Sequence, residues 1–444
     1  MREPEFYDVR WIEGESTSIL LDNGKIEDIN TNYGSGCGVR ALCGGSWGYT
    51  SSEGVDGIDT AINAARELAS DVNKHSPGEK VTLASYCEPN VDNLPSIKET
   101  PRDVPVEEKV ELLKDLSNNA SCKGISSTSA SYSESTFKVH YTNSEGADCE
   151  YELTRVGFAI SAIASDGAAY QVGRESNFDV CGYEMFRDPG ILEKAQSAGK
   201  TAVDLLGARQ AKGGKGPVIL DPELAGVFAH EAVGHASEAD LVLEGSSILA
   251  DRIGEEIASP LVNIVDDPTL HKFGYYPFDA EGMQSHRTDI ITDGVLNSYL
   301  HSRETAGKLG GTSGNSRSQG YSAPVVRMSN TYVDNGNSNL DEMLEELGDG
   351  MYLAGTRGGQ VNTGEGIFQF NAEKGYIVEN GEIGDLVRDV SLSGNTLEIL
   401  KNVLLVGNDL KMHSGRCGKS GQAVPVSDGS PHLLISDALV GGVQ

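Results

Sequence analysis

The 444-residue chain carries 66 acidic against 35 basic side chains, a formal net charge of −31. That excess argues against nucleic acid and membrane as partners, and suits either solubility in a saline cytoplasm or attraction of basic peptides. With 38% apolar residues, 54 Gly and only 2 Trp, the composition is that of a soluble, turn-rich and strand-rich protein, too long for one ordinary core and expected to form two or three domains.

The opening residues, Met1-Arg2-Glu3-Pro4-Glu5, are charged where a signal peptide would be apolar, and no later apolar run reaches membrane-spanning length. A cytoplasmic location with reduced thiols is expected, because the 7 cysteines are odd in number and include no C-x-x-C pair. Residues 6–12, 17–21, 25–31, 38–42 and 46–50 alternate as strands do, with a hairpin turn at Asp22-Asn23-Gly24. Cys37 and Cys43 share a face of this extended chain, and nothing requires them to bond. Gly34, Gly36 and Gly38 are followed by strand-like Val39-Arg40-Ala41-Leu42 rather than a helix, which argues against a dinucleotide-binding loop. Ile58, Ala61, Ile62, Ala65, Leu68 and Ala69 give 55–73 a helical stripe that would cover the sheet. Residues 74–105 read as a connector with one strand at 80–86, and Val106 to Ala120 as a second helix. Strands are expected at 122–131, 135–143, 148–165 and 168–178, then a helix from Gly190 to Arg209. Lys212-Gly213-Gly214-Lys215-Gly216 is the clearest boundary in the chain.

After a short buried strand, Val218-Ile219-Leu220, the stretch from Asp221 to His235 begins as a helix should. Asp221 is a good N-cap, Pro222 fits the first helical position and Glu223 suits the positive end of the dipole. Leu224, Val227, Phe228, Glu231 and His235 form one stripe, which predicts that Glu231 and His235 point into the protein body. The two histidines are spaced H-E-x-x-x-H, one residue longer than the zinc-peptidase H-E-x-x-H. On an ideal helix the rings would diverge by roughly 140°, too far to chelate one ion. A π-bulge absorbs one extra residue, so a distorted helix is predicted between His230 and His235, with Gly234 as the permissive position. A catalytic zinc takes three protein ligands. By spacing alone the third is open among Glu238, Asp240, His271, His286, His301, His413 and Cys417, the last lying between glycines in Ser414-Gly415-Arg416-Cys417-Gly418.

Leu241 to Ile257 is expected to extend or follow that helix. Extended segments follow at 262–266, 290–291 and 295–301. Gly310 to Tyr321 is a long Gly/Ser/Asn/Arg loop of the kind that carries function. Arg317 and Arg327 are read first as members of structural ion pairs and second as groups that hold a substrate carboxylate or backbone. Leu340 to Leu347 is a short acidic helix. From Met351 to Ile435 strands dominate, which predicts a curved sheet or barrel that returns a Cys417 loop to the helix. His413 and His432 are read as structural. Gly418-Lys419-Ser420 is not a phosphate loop, because the position five before Gly418 is His413 and not Gly.

HEAVGH with Glu238 and Asp240 beyond it, the run GRCGKSGQAVPVSDGSPHLLI at 415–435, DNGKIEDINTNYGSGCGVRALCGGSWGYTSS at 22–52, GNSRSQGYSAPVVRMSNTYV at 314–333 and GTRGGQVNTGEGIFQFNAEKGYIVENGEI at 355–383 together resemble the TldD branch of the TldD/PmbA (TldE) metallopeptidases, in the family's order and over nearly the whole chain. The resemblance implies zinc held by His230, His235 and Cys417, with Glu231 as the general base of metal-assisted hydrolysis. It also implies peptides or unfolded chain as substrate, bound in extended form in a TldD/TldE-like heterodimer or a homodimer, and places the 310–321 loop near the cleft. The TldE branch lacks the metal helix, so this chain resembles the active partner. Two further functions stay open: a non-catalytic assembly subunit with structural zinc, and a metal-dependent hydrolase of non-peptide substrates. The fold expected is α+β, an N-terminal antiparallel sheet flanked by helices and then a β-rich, barrel-like domain carrying the metal helix. The expected regions are 1–105, 106–216 and a metallopeptidase domain at 217–444.

Overall fold

A computed structural model describes residues 4–54, 57–75 and 81–442. The first strands, β1 (Phe6–Asp22), β2 (Lys25–Cys43) and β3 (Ser46–Glu53), are followed by α1 (Ile58–His75) and α2 (Val106–Ala120). Then come β4 (Ile125–Asn143), β5 (Asp148–Ser165), β6 (Tyr170–Asp179) and α3 (Gly190–Gly207). The six strands form one antiparallel sheet in the order β3-β2-β1-β4-β5-β6. Asn23 and Gly24 take φ of 51° and 70° between β1 and β2, the left-handed pair that an Asn-Gly hairpin turn needs. The strands are longer than the sequence predicts because glycines do not interrupt them. At Gly14 a Cβ would lie 2.1 Å from the Thr136 carbonyl, so the missing side chain is what lets β4 run alongside β1. Ala61 and Ala65 of α1 pack on Val9, Cys37 and Val39, while Leu113, Ala195 and Ala202 of α2 and α3 cover Tyr132, Phe158 and Ile160.

One expectation changes here. Residues 76–80 lie outside the described set, and the rest of the strand expected at 80–86 joins no ladder. The three-region division stays a proposal: its boundary at 105/106 separates stretches whose strands β1 and β4 pair from Asp8↔Asn143 to Asp22↔Ser129.

From Arg209 onward the strands are β7 (Arg209–Gln210), β8 (Gly214–Leu220), β9 (Ile264–Asp266), β10 (Thr288–Thr292), β11 (Val295–Leu296), β12 (Ser316–Arg317), β13 (Val325–Val326) and β14 (Asn330–Val333). They continue as β15 (Gly350–Asn362), β16 (Ile367–Glu379), β17 (Glu382–Arg388), β18 (Ser391–Asn395), β19 (Val403–Val406), β20 (Lys411–Lys419), β21 (Gln422–Ser430) and β22 (Leu433–Gly441). The helices are α4 (Pro222–Phe228), α5 (Ala239–Leu243), α6 (Arg303–Leu309), α7 (Leu340–Leu347) and α8 (Thr396–Lys401). The proposed boundary at 216/217 falls inside β8. Strands β15, β8, β22, β18 and β16 pair in that order, and β16 pairs back to β15, closing a 5-strand barrel. A second, six-stranded sheet runs β11-β10-β9-β14-β21-β20, with β14 and β21 parallel. Leu224 and Phe228 of α4 join the core that the barrel residues Leu220, Leu353, Phe368 and Phe370 build. Phe228 stands edge-on to Phe368 at 5.3 Å, an arrangement aromatic pairs favour.

Helix after the metal stretch is shorter than expected: α5 ends at Leu243, and turns continue from there through 257. Cys417 is also not on a loop. It sits within β20, opposite Val424 of β21, and the tight turn falls beyond it at Ser420 and Gly421, with φ of 53° and 73°.

Candidate metal centre

Asp221 caps α4, its carboxylate accepting from the Leu224 N–H at 2.9 Å. The helix then widens. Residues Ala229–Gly234 form a single π turn, in which the His235 N–H donates to the His230 carbonyl, five residues back. The extra residue in H-E-x-x-x-H is absorbed there, and the rings of His230 and His235 come to 5.3 Å between centroids. Gly234 acts by size and not by backbone freedom. Its φ of −56° is ordinary helix, but a Cβ would sit 1.9 Å from the Met328 sulphur.

The predicted inward stripe splits: Leu224 and Phe228 are in the core, and the edge with Val227, Glu231 and His235 opens. Neighbouring residues on this helix are buried almost all round, as expected of a helix enclosed by barrel and sheet, whereas Glu223, Val227, Glu231 and His235 are only partly covered. Glu231 and His235 accordingly line a cleft of about 430 Å³ with Glu238, Gln360, Val361, Gly418 and Lys419.

Ligand atoms of His230, His235 and Cys417 lie within 4.8 Å of one another. The Cys417 Sγ is 3.4 Å from His235 Nε2, and a Glu231 carboxylate oxygen is 3.8 Å from the same nitrogen. Burial pushes the Cys417 thiol up, but the two imidazoles outweigh it and draw it down to about 4. Burial likewise disfavours imidazolium at His230 and His235, and Cys417 for the first, Glu238 and Cys417 for the second, raise both above the ordinary histidine value. A thiolate facing two imidazoles is a donor set that fits zinc or another borderline divalent ion.

Glu238, which spacing allowed as a third ligand, sits behind His235. It accepts from His235 Nδ1 at 3.0 Å, which leaves Nε2 for the site and fixes the ring's orientation. Glu238 is fully buried, and the charge is balanced by Lys419 Nζ at 3.0 Å, which also reaches both oxygens of Asp240 at 2.8 Å. In contrast, His230 Nδ1 is buried with no hydrogen-bond partner among the described residues. Three further histidines are engaged elsewhere: His271 on the Asn93 carbonyl, His286 on that of Gln284, His301 on the Thr305 hydroxyl. His413 shares β20 with Cys417 but has no part in the cluster, and its Nδ1 is buried without a partner among the described residues. His432 is paired with Asp409 at 2.7 Å.

Sequence reasoning missed what Arg317 and Arg327 do. Neither forms an ion pair among the described residues; both hold backbone carbonyls. Fully buried Arg327 donates to the Cys417 carbonyl, and Arg317 to those of Met328 and Pro425, so the two guanidiniums fasten the hairpin in place. Lys419 and Arg327 carry no local signal of these roles, since their partners are 93 or more and 90 or more positions away.

A closed barrel beside a helix whose two histidines meet a strand-borne cysteine defines a protein with a built site for a metal ion. The chain belongs to the PmbA/TldA (TldD) metallopeptidase family, matching its first domain over residues 7–69, its central domain over 99–206 and its C-terminal domain over 213–442. A protein of Methanothermobacter thermautotrophicus named "Metalloprotease" is 44% identical over 99% of this chain and 96% of its own length. A "Zinc metalloprotease TldD homolog" of Saccharolobus solfataricus is 29% identical over 98% and 96%. In fold, TldE from Thermococcus kodakarensis superposes with a TM-score of 0.78 at 18% identity, covering 99% of this chain and 97% of its own. A Thermotoga maritima protein described as a proposed modulator of DNA gyrase gives 0.81 at 24%, covering 98% and 96%. Among the described residues no helix is long and apolar enough to cross a membrane.

Proposed function

We propose that this chain is a zinc-dependent peptidase that hydrolyses peptides or unfolded segments bound in extended form, working in the cytoplasm with a TldE-like partner or a second copy of itself. The observation that supports it most is the meeting of His230, His235 and Cys417 within 4.8 Å, with Glu231 beside them in an open cleft. His230, His235 and Cys417 would hold the ion. Zinc, when bound, supplies a Lewis acid at the scissile carbonyl. Glu231 takes the proton of the attacking water and delivers it to the departing amine. Glu238 and Lys419 keep the His235 ring turned towards the ion. Gln360 and Val361 of β15 and Gly418 of β20 border the cleft, so an extended segment is read there more through its backbone than through its side chains.

The test is hydrolysis of a mixed pool of unstructured peptides, with and without a TldE-like partner, before and after chelation and again after zinc is restored. Cleavage that stops on chelation and returns with zinc is expected. Zinc that stays bound with no peptide cleaved in any combination would favour the structural-zinc subunit, and cleavage of other bonds alone a different hydrolase.

A further inference from the structure

A second cavity, of about 560 Å³, lies between β1, β4 and β5 on one side and β12 and the β20–β21 hairpin on the other. Four guanidiniums line it: Arg10, Arg155, Arg317 and Arg416. In a chain of net charge −31 this is a local reversal of sign. None of the four has a carboxylate partner among the described residues. Arg155 donates to the carbonyls of Phe273 and Tyr275 at 3.2 and 2.8 Å, and Arg317 donates to those of Met328 and of Pro425 on the hairpin. Arg10, only 5% exposed, reaches the carbonyls of Ala280, Gly320 and Ser322, and its Nε is buried with no partner among the described residues. The Arg416 guanidinium, on an exposed residue, lies over the Phe273 ring at 5.7 Å and makes no hydrogen bond among the described residues.

Carbonyl oxygens solvate a guanidinium but do not neutralise it, and a buried charge without a counter-charge is costly. Burial, together with Arg317 and Arg416 nearby, draws Arg155 down to about 10, which leaves it charged at neutral pH. The acidic groups on the wall are already committed. Glu134 pairs with Lys109 at 2.7 Å, and Asp279 accepts three backbone N–H groups, from Glu281, Met283 and Ser316, at 2.9 Å each. The rest of the wall combines aromatic rings, Phe137, Phe178 and Phe273 among them, with serine and threonine hydroxyls and small apolar side chains.

We propose that this cavity is a binding site, separate from the metal centre, for a small molecule or peptide end that carries a carboxylate on an apolar or aromatic body. The planar fork of arginine matches a carboxylate, and the aromatic wall matches the body. The volume is that of a small-ligand pocket. An occupant would touch the hairpin that bears Cys417, since Arg416 pairs in register with Pro425, whose carbonyl Arg317 holds.

Calorimetric titration of the full chain tests this without relying on the zinc reading. The probes are N-acetylphenylalanine, its neutral amide, phenylacetate and inorganic phosphate, each run on the zinc-loaded and the chelated protein. N-acetylphenylalanine should bind at least about tenfold more tightly than the amide, as one charge-assisted contact implies. Chelation should leave that affinity unchanged. Arg416→Gln, at a surface-accessible position, should weaken it by about tenfold, and Arg416→Lys should restore part of the loss. Phenylacetate binding as tightly as N-acetylphenylalanine supports the site and assigns it to free aromatic acids; much weaker phenylacetate supports it and assigns it to peptide C-termini. Equal binding of acid and amide, an unaltered Arg416→Gln, phosphate as good as the aromatic acids, or binding that vanishes on chelation would each overturn the proposal.

Discussion

The candidate metal centre has two arms, and they are built by opposite means. The helix arm is local: within fifteen residues, Asp221 caps the start, Pro222 sets the first turn, and one π turn brings His230 and His235 together. The hairpin arm is remote. Cys417 lies 182 positions from His235, and what holds it in place is Arg327 on its carbonyl and the pairing of β20 with β21. A metal ion that bridges the arms would tie the ends of a long chain loop, so the helix arm can be read from neighbouring residues and the hairpin arm only from the assembled sheet.

The predictions test how far the arms depend on one another. The largest effect falls on catalysis alone. Glu231→Gln keeps the side chain's shape and should lower kcat by about 10²–10⁴-fold while zinc content is unchanged, read by steady-state kinetics beside metal analysis. An active Gln variant would remove Glu231 from the mechanism. Next is the support behind His235. Glu238→Gln weakens the charge that orients the ring and leaves Lys419 with Asp240 alone, so zinc affinity should fall about 10–100-fold in competition with a chromogenic chelator. Unchanged affinity would mean that the hairpin fixes the ring unaided.

Smaller still is Gly234→Ala. The new methyl meets buried Met328, which should cost about 1–3 kcal/mol of stability in denaturant titration. Gly234 would prove dispensable if the loss were negligible. Of similar size, but spread over a range of pH, is an effect that sets the site histidines against one outside it. Thiolate and carboxylate neighbours raise His230 and His235, whereas burial draws His301 down to about 4. Folded His301 therefore stays neutral while the unfolded chain takes up a proton near about pH 6.5, so stability falls as pH drops from there towards 4, by up to about 3 kcal/mol. His301→Gln should flatten that part of the acid slope, and an identical slope would contradict the assignment.

The helix start at Asp221-Pro222, the need for a distortion between His230 and His235, and the antiparallel sheet with its Asn23-Gly24 turn were legible because each is decided by residues within a few positions. The length of β1 and β2 was not, because Gly14 reads as a break until β4 lies beside it. The orientation of Glu231 and His235 was legible only in part for a related reason. A helical wheel assumes one buried face, and this helix is enclosed almost all round, so Leu224 and Phe228 of the predicted stripe are in the core while Val227, Glu231 and His235 border the opening. Gly234 was singled out for freedom of backbone when the space taken by Met328 is what requires it. The cluster of arginines in the second cavity left no trace in the sequence, since its members come from four distant strands.

The bridging ion itself is tested most directly by X-ray absorption at the zinc edge, on the wild-type chain and on Cys417→Ser. One sulphur and two imidazole nitrogens around a single zinc are predicted for the wild type, with the sulphur signal gone in the variant. A wild-type spectrum with no sulphur ligand would contradict the joining of the two arms.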